Sequence, residues 1–394
     1  MKETSMRISD LKSLYVSLPR LDHRYRSLPF WAWNEKLDPA ELRRQMPDMK
    51  DKGIGGAFAH SRDGLETPYL SDEWMHDIAV MAETGAQLGL EAWIYDEDKW
   101  PSGSAGGKVS AMNPEAFTAR ALTLEIAAAD AEIDEAGVVT RCRARIDGAR
   151  ILEMGEGDVQ LVLRTEKSAS SDWYNGLAPS DNLNPDAVRA FIDLTHERYK
   201  ALFGGGLSDH VEGFFTDEPN FCDFFSSFTP GRPWLPWTQD FAQAFARLRG
   251  YDPVPRLPLL FFEGEGSEKI RHDYWRTLME LFSERYMKQI HDWCEDNGVR
   301  TTGHVLYEND LGYNVRVCGA AMPQYRFLHM PGVDILGDQT REWLTVRQCS
   351  SVAHQYGRDE TVAEVYGCTG WEFDFEGQKR LGDWLVVNGV NRRC

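Results

Sequence analysis

Two stretches of this chain put acids where buried strands would deliver them. Val211-Glu212-Gly213-Phe214-Phe215-Thr216-Asp217-Glu218-Pro219 is a short apolar run ending in paired carboxylates, and Thr361-Val362-Ala363-Glu364-Val365-Tyr366-Gly367 carries another acid inside a second run. A carboxylate buried among apolar neighbours costs free energy unless it is paired or used. On two parallel strands of one barrel, such acids suit glycosidic bond cleavage, with Glu218 as general acid and Glu364 as the second carboxylate. Pro219 fixes the chain beyond Glu218 and disfavours α geometry at that residue. Asp217 beside it would raise the Glu218 pKa if their charges face each other. The structural alternatives are a helix N-cap for Glu218 and a core ion pair to Arg341 or Arg392 for Glu364.

Further candidates cluster at the ends of other apolar runs. Tyr95-Asp96-Glu97-Asp98-Lys99-Trp100-Pro101 leads into the Gly/Ser-rich stretch Ser102–Gly107. Asp96 and Glu97 could bind sugar hydroxyls and Trp100 could stack on a sugar face. The three acids could instead hold a divalent metal, or form a solvated turn. The stretch lacks the GxxxxGK[ST] pattern of a phosphate loop. His60, His304 and Glu308 follow other strand-like runs and could also meet hydroxyls, with Glu308 a rival for the second carboxylate. Trp33 and Asn34 close the first run and could line a pocket, although Trp31 and Trp33 equally suit core filling. GxSxG and HExxH are absent, and the histidines are too dispersed to assign metal ligands.

The elements that would position these residues alternate. Short apolar or β-branched runs fall at 29–33, 54–59, 90–95, 211–216, 299–305, 332–336, 361–366 and 386–391. Helical patterns lie between them, opened by Asp38-Pro39, Ser71-Asp72 and Asn184-Pro185 and closed by Gly53, Gly89, Asn297-Gly298 and Gly357. The third helix is expected from Asn184-Pro185 to about Phe203. Eight strands alternating with helices predict an α/β fold, a single (β/α)8 TIM barrel spanning 1–394. Two stretches break the rhythm. Residues 112–170 read as a small β-rich insertion after strand 3. Residues 219–267, rich in proline and aromatics such as Phe224-Phe225 and Pro236-Trp237, read as a long loop insertion after strand 4 that walls the pocket.

Composition narrows the partners. A formal net charge of −19 argues against nucleic acid and anionic membrane surfaces. Thirteen tryptophans suit both sugar stacking and a large core. The seven cysteines, Cys142, Cys222, Cys294, Cys318, Cys349, Cys368 and Cys394, form no CxxC and read as reduced thiols without a zinc site. The opening residues are charged throughout and show no signal-peptide core, so a cytoplasmic setting is expected.

Pro29-Phe30-Trp31-Ala32-Trp33-Asn34, the tract Tyr95–Gly107 and Phe215-Thr216-Asp217-Glu218-Pro219-Asn220 together resemble the barrel of glycoside hydrolase family 106, which contains bacterial α-L-rhamnosidases. The resemblance runs from about Arg26 to Cys394. It implies exo-acting hydrolysis of a terminal sugar with inversion. It maps the acid onto Glu218 and the base onto Glu364, with no organic cofactor. It also implies a calcium ion near the sugar hydroxyls, whose ligands no motif identifies. Retention remains open, since acids after strands four and seven also fit retaining glycosidases of other specificity, such as galactosidases or glucuronidases. A non-catalytic sugar-binding barrel and a metal-dependent hydrolase built on Asp96, Glu97 and Asp98 with His60 or His304 are the further alternatives.

Overall fold

The computed structural model describes residues 26–221 and 226–394. Cys222 and the Phe224-Phe225 pair lie outside the described residues. In chain order the strands are β1 (Phe30–Glu35), β2 (Gly56–Leu65), β3 (Glu91–Tyr95), β4 (Arg120–Ala128), β5 (Val138–Asp147), β6 (Arg150–Met154), β7 (Val159–Lys167), β8 (Gly213–Asp217), β9 (Trp234–Trp237), β10 (Arg300–His304), β11 (Met330–Asp334), β12 (Val362–Glu364) and β13 (Arg392–Arg393). Eight of them form a curled parallel sheet in the order β1-β2-β3-β8-β10-β11-β12-β13. The Leu28 N–H, just ahead of β1, donates to the Arg393 carbonyl at 2.8 Å, so the two ends of the sheet meet.

Helices cross between these strands because their ends are written locally. Asp38 accepts the Ala40 N–H at 2.9 Å with Pro39 following, which starts the helix Pro39–Asp51. Ser71 caps Asp72–Leu88, which ends at Gly89 with φ +71, where only glycine is unstrained. That helix buries Trp74, Met75, Ile78 and Met81 against the outer face of the sheet. The single helix expected from Asn184 to about Phe203 is two, Pro185–Leu194 and His196–Leu202. Thr195 at the break sends its hydroxyl back to the Phe191 carbonyl at 2.6 Å, a bond that bends helices.

Alternation sorts the side chains. Phe58, Trp93, Tyr95, Phe215, Met330 and Val362 meet inside the curl as one apolar cluster. Trp33, Phe214 and Leu278 belong to the larger core between sheet and helices. At the N-terminal end of the strands, buried Arg392 on β13 reaches across to Glu91 on β3 at 3.2 Å.

Two sequence expectations need correcting. Residues 386–391 are not the eighth strand: Val386 and Val387 end the helix Phe375–Val387, exposed, and the strand is Arg392–Arg393. Asn388 closes the helix onto Trp384 and Gly389 turns the chain at φ +88, so the β-branched pair was misread for want of its cap. Residues 219–267 are not simply a loop, for they carry β9 and the helix Phe241–Arg249. β9 pairs antiparallel with β4, completing a second sheet in the order β6-β5-β7-β4-β9. Among the described residues no helix is long and apolar enough to cross a membrane.

Candidate active site

The inward-facing positions at the C-terminal ends of four parallel strands bring Asp217 (β8), His304 (β10), Asp334 (β11) and Glu364 (β12) together. His304 Nε2 lies 2.8 Å from Glu364 Oε2 and 3.5 Å from Asp217 Oδ1. The Tyr95 hydroxyl donates to Asp217 Oδ2 at 2.5 Å. His304 is 1% exposed, whereas the Glu364 side chain keeps 23% of its surface open to solvent. His304 therefore orients the acid from below, and Glu364 is the member of the pair that a ligand can touch.

The strand sequence just beneath makes this spacing possible. Gly303 has φ +139, and a Cβ there would stand 1.9 Å from the Thr216 carbonyl oxygen. Only glycine lets β10 run this close to β8 and present His304 beside Asp217.

Burial and crowding raise these acids together. Burial lifts Glu364 to about 7, opposed by the charge of Arg62. Asp217 rises to about 6, through burial first and then the Glu364 charge, against the favourable His304 and Tyr95. Asp334 rises to about 8, through burial, Glu364 and Asp217. For Glu364 this amounts to roughly 3 kcal/mol against the ionised form.

Glu218 is half-buried one residue beyond Asp217, with its N–H donating to the His304 carbonyl at 3.1 Å and a φ of +44. A non-glycine residue seldom adopts that region, and the turn swings Glu218 out of the strand's alternation. Its charge acts on Glu308, which is itself buried, accepts the Asp334 N–H at 2.7 Å and is pushed well above the usual carboxylate range. Glu308 thus braces the end of β11.

Several sequence-derived site residues occupy other places. Glu97 is fully buried and accepts the backbone N–H groups of Asp98, Gly103, Ser104, Ala105 and Gly106 at 2.5–3.1 Å. Its oxygens are committed to the loop, which corrects its assignment to sugar binding. Asp96 is fully buried and accepts the Ser102 hydroxyl at 2.6 Å; Ser102 Oγ in turn accepts the Asp217 N–H at 2.8 Å. Asp98 takes hydrogen bonds from Ser61 and Asn175. The three acids diverge, so they do not form the metal site considered for them. Trp33 is buried against Trp74 on the outer face of the sheet and lines no pocket, because alternation turns it away from the interior. Asn34 is exposed at the rim. His60 is 2% exposed and lies on the Tyr95 ring at 3.8 Å, part of the floor; burial, and next the charge of Arg62, lowers it to about 3, so it is neutral. Trp100 is half-buried, its ring 6.0 Å from that of Trp173 and its carbonyl accepting the Trp173 indole N–H at 2.7 Å. Reading the sequence for motifs missed Tyr95, Asp334 and Arg62 as site residues. Asp334, an acid inside the apolar run Gly332–Leu336, carried the same signal as Glu364.

Comparisons with known proteins give the family. A curated protein of Formosa agariphila with a provisional beta-glucuronidase name is 28% identical over 167 residues, covering 40% of this chain and 13% of that protein. The solved rhamnosidase from Novosphingobium sp. PP1Y superposes with a TM-score of 0.66 at 16% identity, over 96% of this chain and 56% of its own. The present chain thus spans about half the solved rhamnosidase and a small part of the curated relative. Residues 150–394 match the sequence profile of the alpha-L-rhamnosidases of glycoside hydrolase family 106. With the profile covering more than half of its length, this chain belongs to glycoside hydrolase family 106.

Proposed function

We propose that this chain hydrolyses a terminal α-L-rhamnoside with inversion, as a catalytic unit built on a closed (β/α)8 barrel with 112–170 and 219–267 as insertions. Glu218 protonates the leaving glycosidic oxygen. Glu364, oriented by His304, takes a proton from the attacking water. The observation that carries this reading is the partly open Glu364 carboxyl, hydrogen-bonded to His304 beside Asp217, at the same end of the sheet as Glu218. Glu308 is the weaker choice for the base, because it is buried and bonded to the Asp334 backbone.

Hydrolysis of a panel of nitrophenyl glycosides, α-L-rhamnoside included, tests this. Glu218→Gln and Glu364→Gln should each lower kcat by about 10²–10⁴-fold. Two folded variants with unchanged turnover would remove both assignments. A retaining enzyme acting on a galactoside or glucuronide is the second reading, supported by the name of the Formosa agariphila relative. The anomer first released, followed by NMR, separates the two. Absence of turnover on every sugar favours a sugar-binding barrel.

A bound calcium ion is part of the proposal. Calcium prefers oxygen donors. Asp334 Oδ1 is buried without a hydrogen-bond partner among the described residues, and the Asp217 carboxylate is close enough for its charge to act on Asp334. These two would supply oxygens, whereas the His304 nitrogen suits calcium poorly. When bound, the ion would hold sugar hydroxyls and favour the ionised acids. Calorimetry should detect calcium binding that Asp334→Asn weakens at least about tenfold; equal binding by both proteins rejects this ligand set.

A further inference from the structure

We propose that Arg62 is a carboxylate-recognition residue, and that the saccharide taken by this site contains a hexuronate; this rests on the sugar-hydrolase reading above.

Arg62 follows the His60 floor residue on β2. There β2 outgrows β1: Trp33 pairs with Ser61, but Glu35 pairs with Leu65. The extra residues lift Arg62 to the open end of the sheet, where it is exposed. Its neighbours are tied down, with His60 against Tyr95 and the Ser61 hydroxyl on Asp98 at 2.9 Å. Among the described residues the guanidinium has no hydrogen bond and no ion pair within 4 Å, although the chain carries 62 acids against 43 bases. Its field nevertheless reaches His60, Asp217 and Glu364.

A cation at this end of the sheet, unpaired among the described residues, is available to a ligand. Nothing in a neutral deoxy sugar requires it. A carboxylate does, because the planar guanidinium can donate two parallel hydrogen bonds to it. The carboxylate can belong to the cleaved sugar or to the unit beside it, and each source has its own probe.

The test is calorimetric titration of the whole chain, which reads binding without turnover. D-glucuronate and D-galacturonate are compared with D-glucose and D-galactose for the cleaved unit. A rhamnosyl-hexuronate disaccharide is compared with the matching rhamnosyl-hexose for the adjacent unit. In at least one pair the acid should bind about tenfold or more tightly than its neutral parent, less so at high salt. Arg62→Gln should bring the two affinities together, and Arg62→Lys should restore only part of the ratio. Equal binding of acid and parent by the wild type, a ratio unchanged in Arg62→Gln, or no binding of any of these sugars would overturn the proposal. Preference for the acid in Glu218→Gln, with turnover lost, upholds the recognition role apart from catalysis. Rhamnoside turnover with no preference for the acid rejects Arg62 and leaves the hydrolase reading standing.

Discussion

Each acid of the site takes its role from where its side chain is held. Glu364 is raised to about 7 by burial and held from rising further by Arg62. In its proposed role as general base Glu364 must be ionised, so kcat/KM should increase with pH up to about 7, close to tenfold per unit on the acid limb. Removing the Arg62 charge takes away the effect that lowers this pKa, so Arg62→Gln should move the limb to higher pH. A pH–rate profile on the best nitrophenyl glycoside checks both. An acid limb unmoved in Arg62→Gln would show that the group titrating is not Glu364. Glu218, Asp217 and Glu364 were legible because carboxylates are out of place in apolar strand runs. Arg62 was not legible, because an arginine near the end of a strand is ordinary until the acids its field reaches are known.

At the scale of elements, the loop after β3 gives the clearest case of a motif misread. Three acids followed by glycines and serines suggested ligand binding. Instead Glu97 gathers five backbone N–H groups of the loop, while Gly103, Ala105, Gly106 and Gly107 turn with positive φ around it. The same loop carries Ser102, which bonds Asp96 and the Asp217 backbone and so locks the site to β3. Glutamine at position 97 would replace an accepting oxygen with a donor facing other donors. Glu97→Gln should therefore cost roughly 3 kcal/mol of unfolding free energy, far more than the exposed Glu376→Gln. Denaturant unfolding of both variants measures this, and equal midpoints would refute the central role of Glu97.

For the whole molecule, the cluster of raised acids sets a pH dependence of stability. Glu97 and Asp181 rise to about 7, Asp217 to about 6, Asp334 to about 8 and Glu364 to about 7, chiefly through burial. Their ordinary values are 3.8 for Asp and 4.5 for Glu. Between those values and the raised ones the folded chain binds more protons than the unfolded chain, so the stability these groups contribute is lost as pH rises. Thermal melts should show Tm falling from about pH 5 to about pH 8. Calcium added at pH 8 should recover part of the loss, because a ligand that binds only the folded chain stabilises it. A Tm that climbs across this window would show that the acids are paired more fully than their surroundings indicate.

Local chemistry written along the chain decided where most helices begin and end, which runs other than 386–391 are strands, and that acids lie at the ends of two of them. Capping residues, glycines and apolar periodicity act within a few residues, so their effects can be read one segment at a time. Tertiary structure alone decided that Glu97 serves the loop, that Trp33 faces outward, that Asp334 joins Asp217 and Glu364, and that Arg62 acts on them while unpaired among the described residues. Those outcomes depend on which strands become neighbours and how the curled sheet aligns their ends. Burial and field at a side chain are sums over residues far apart in sequence, and no single segment contains them.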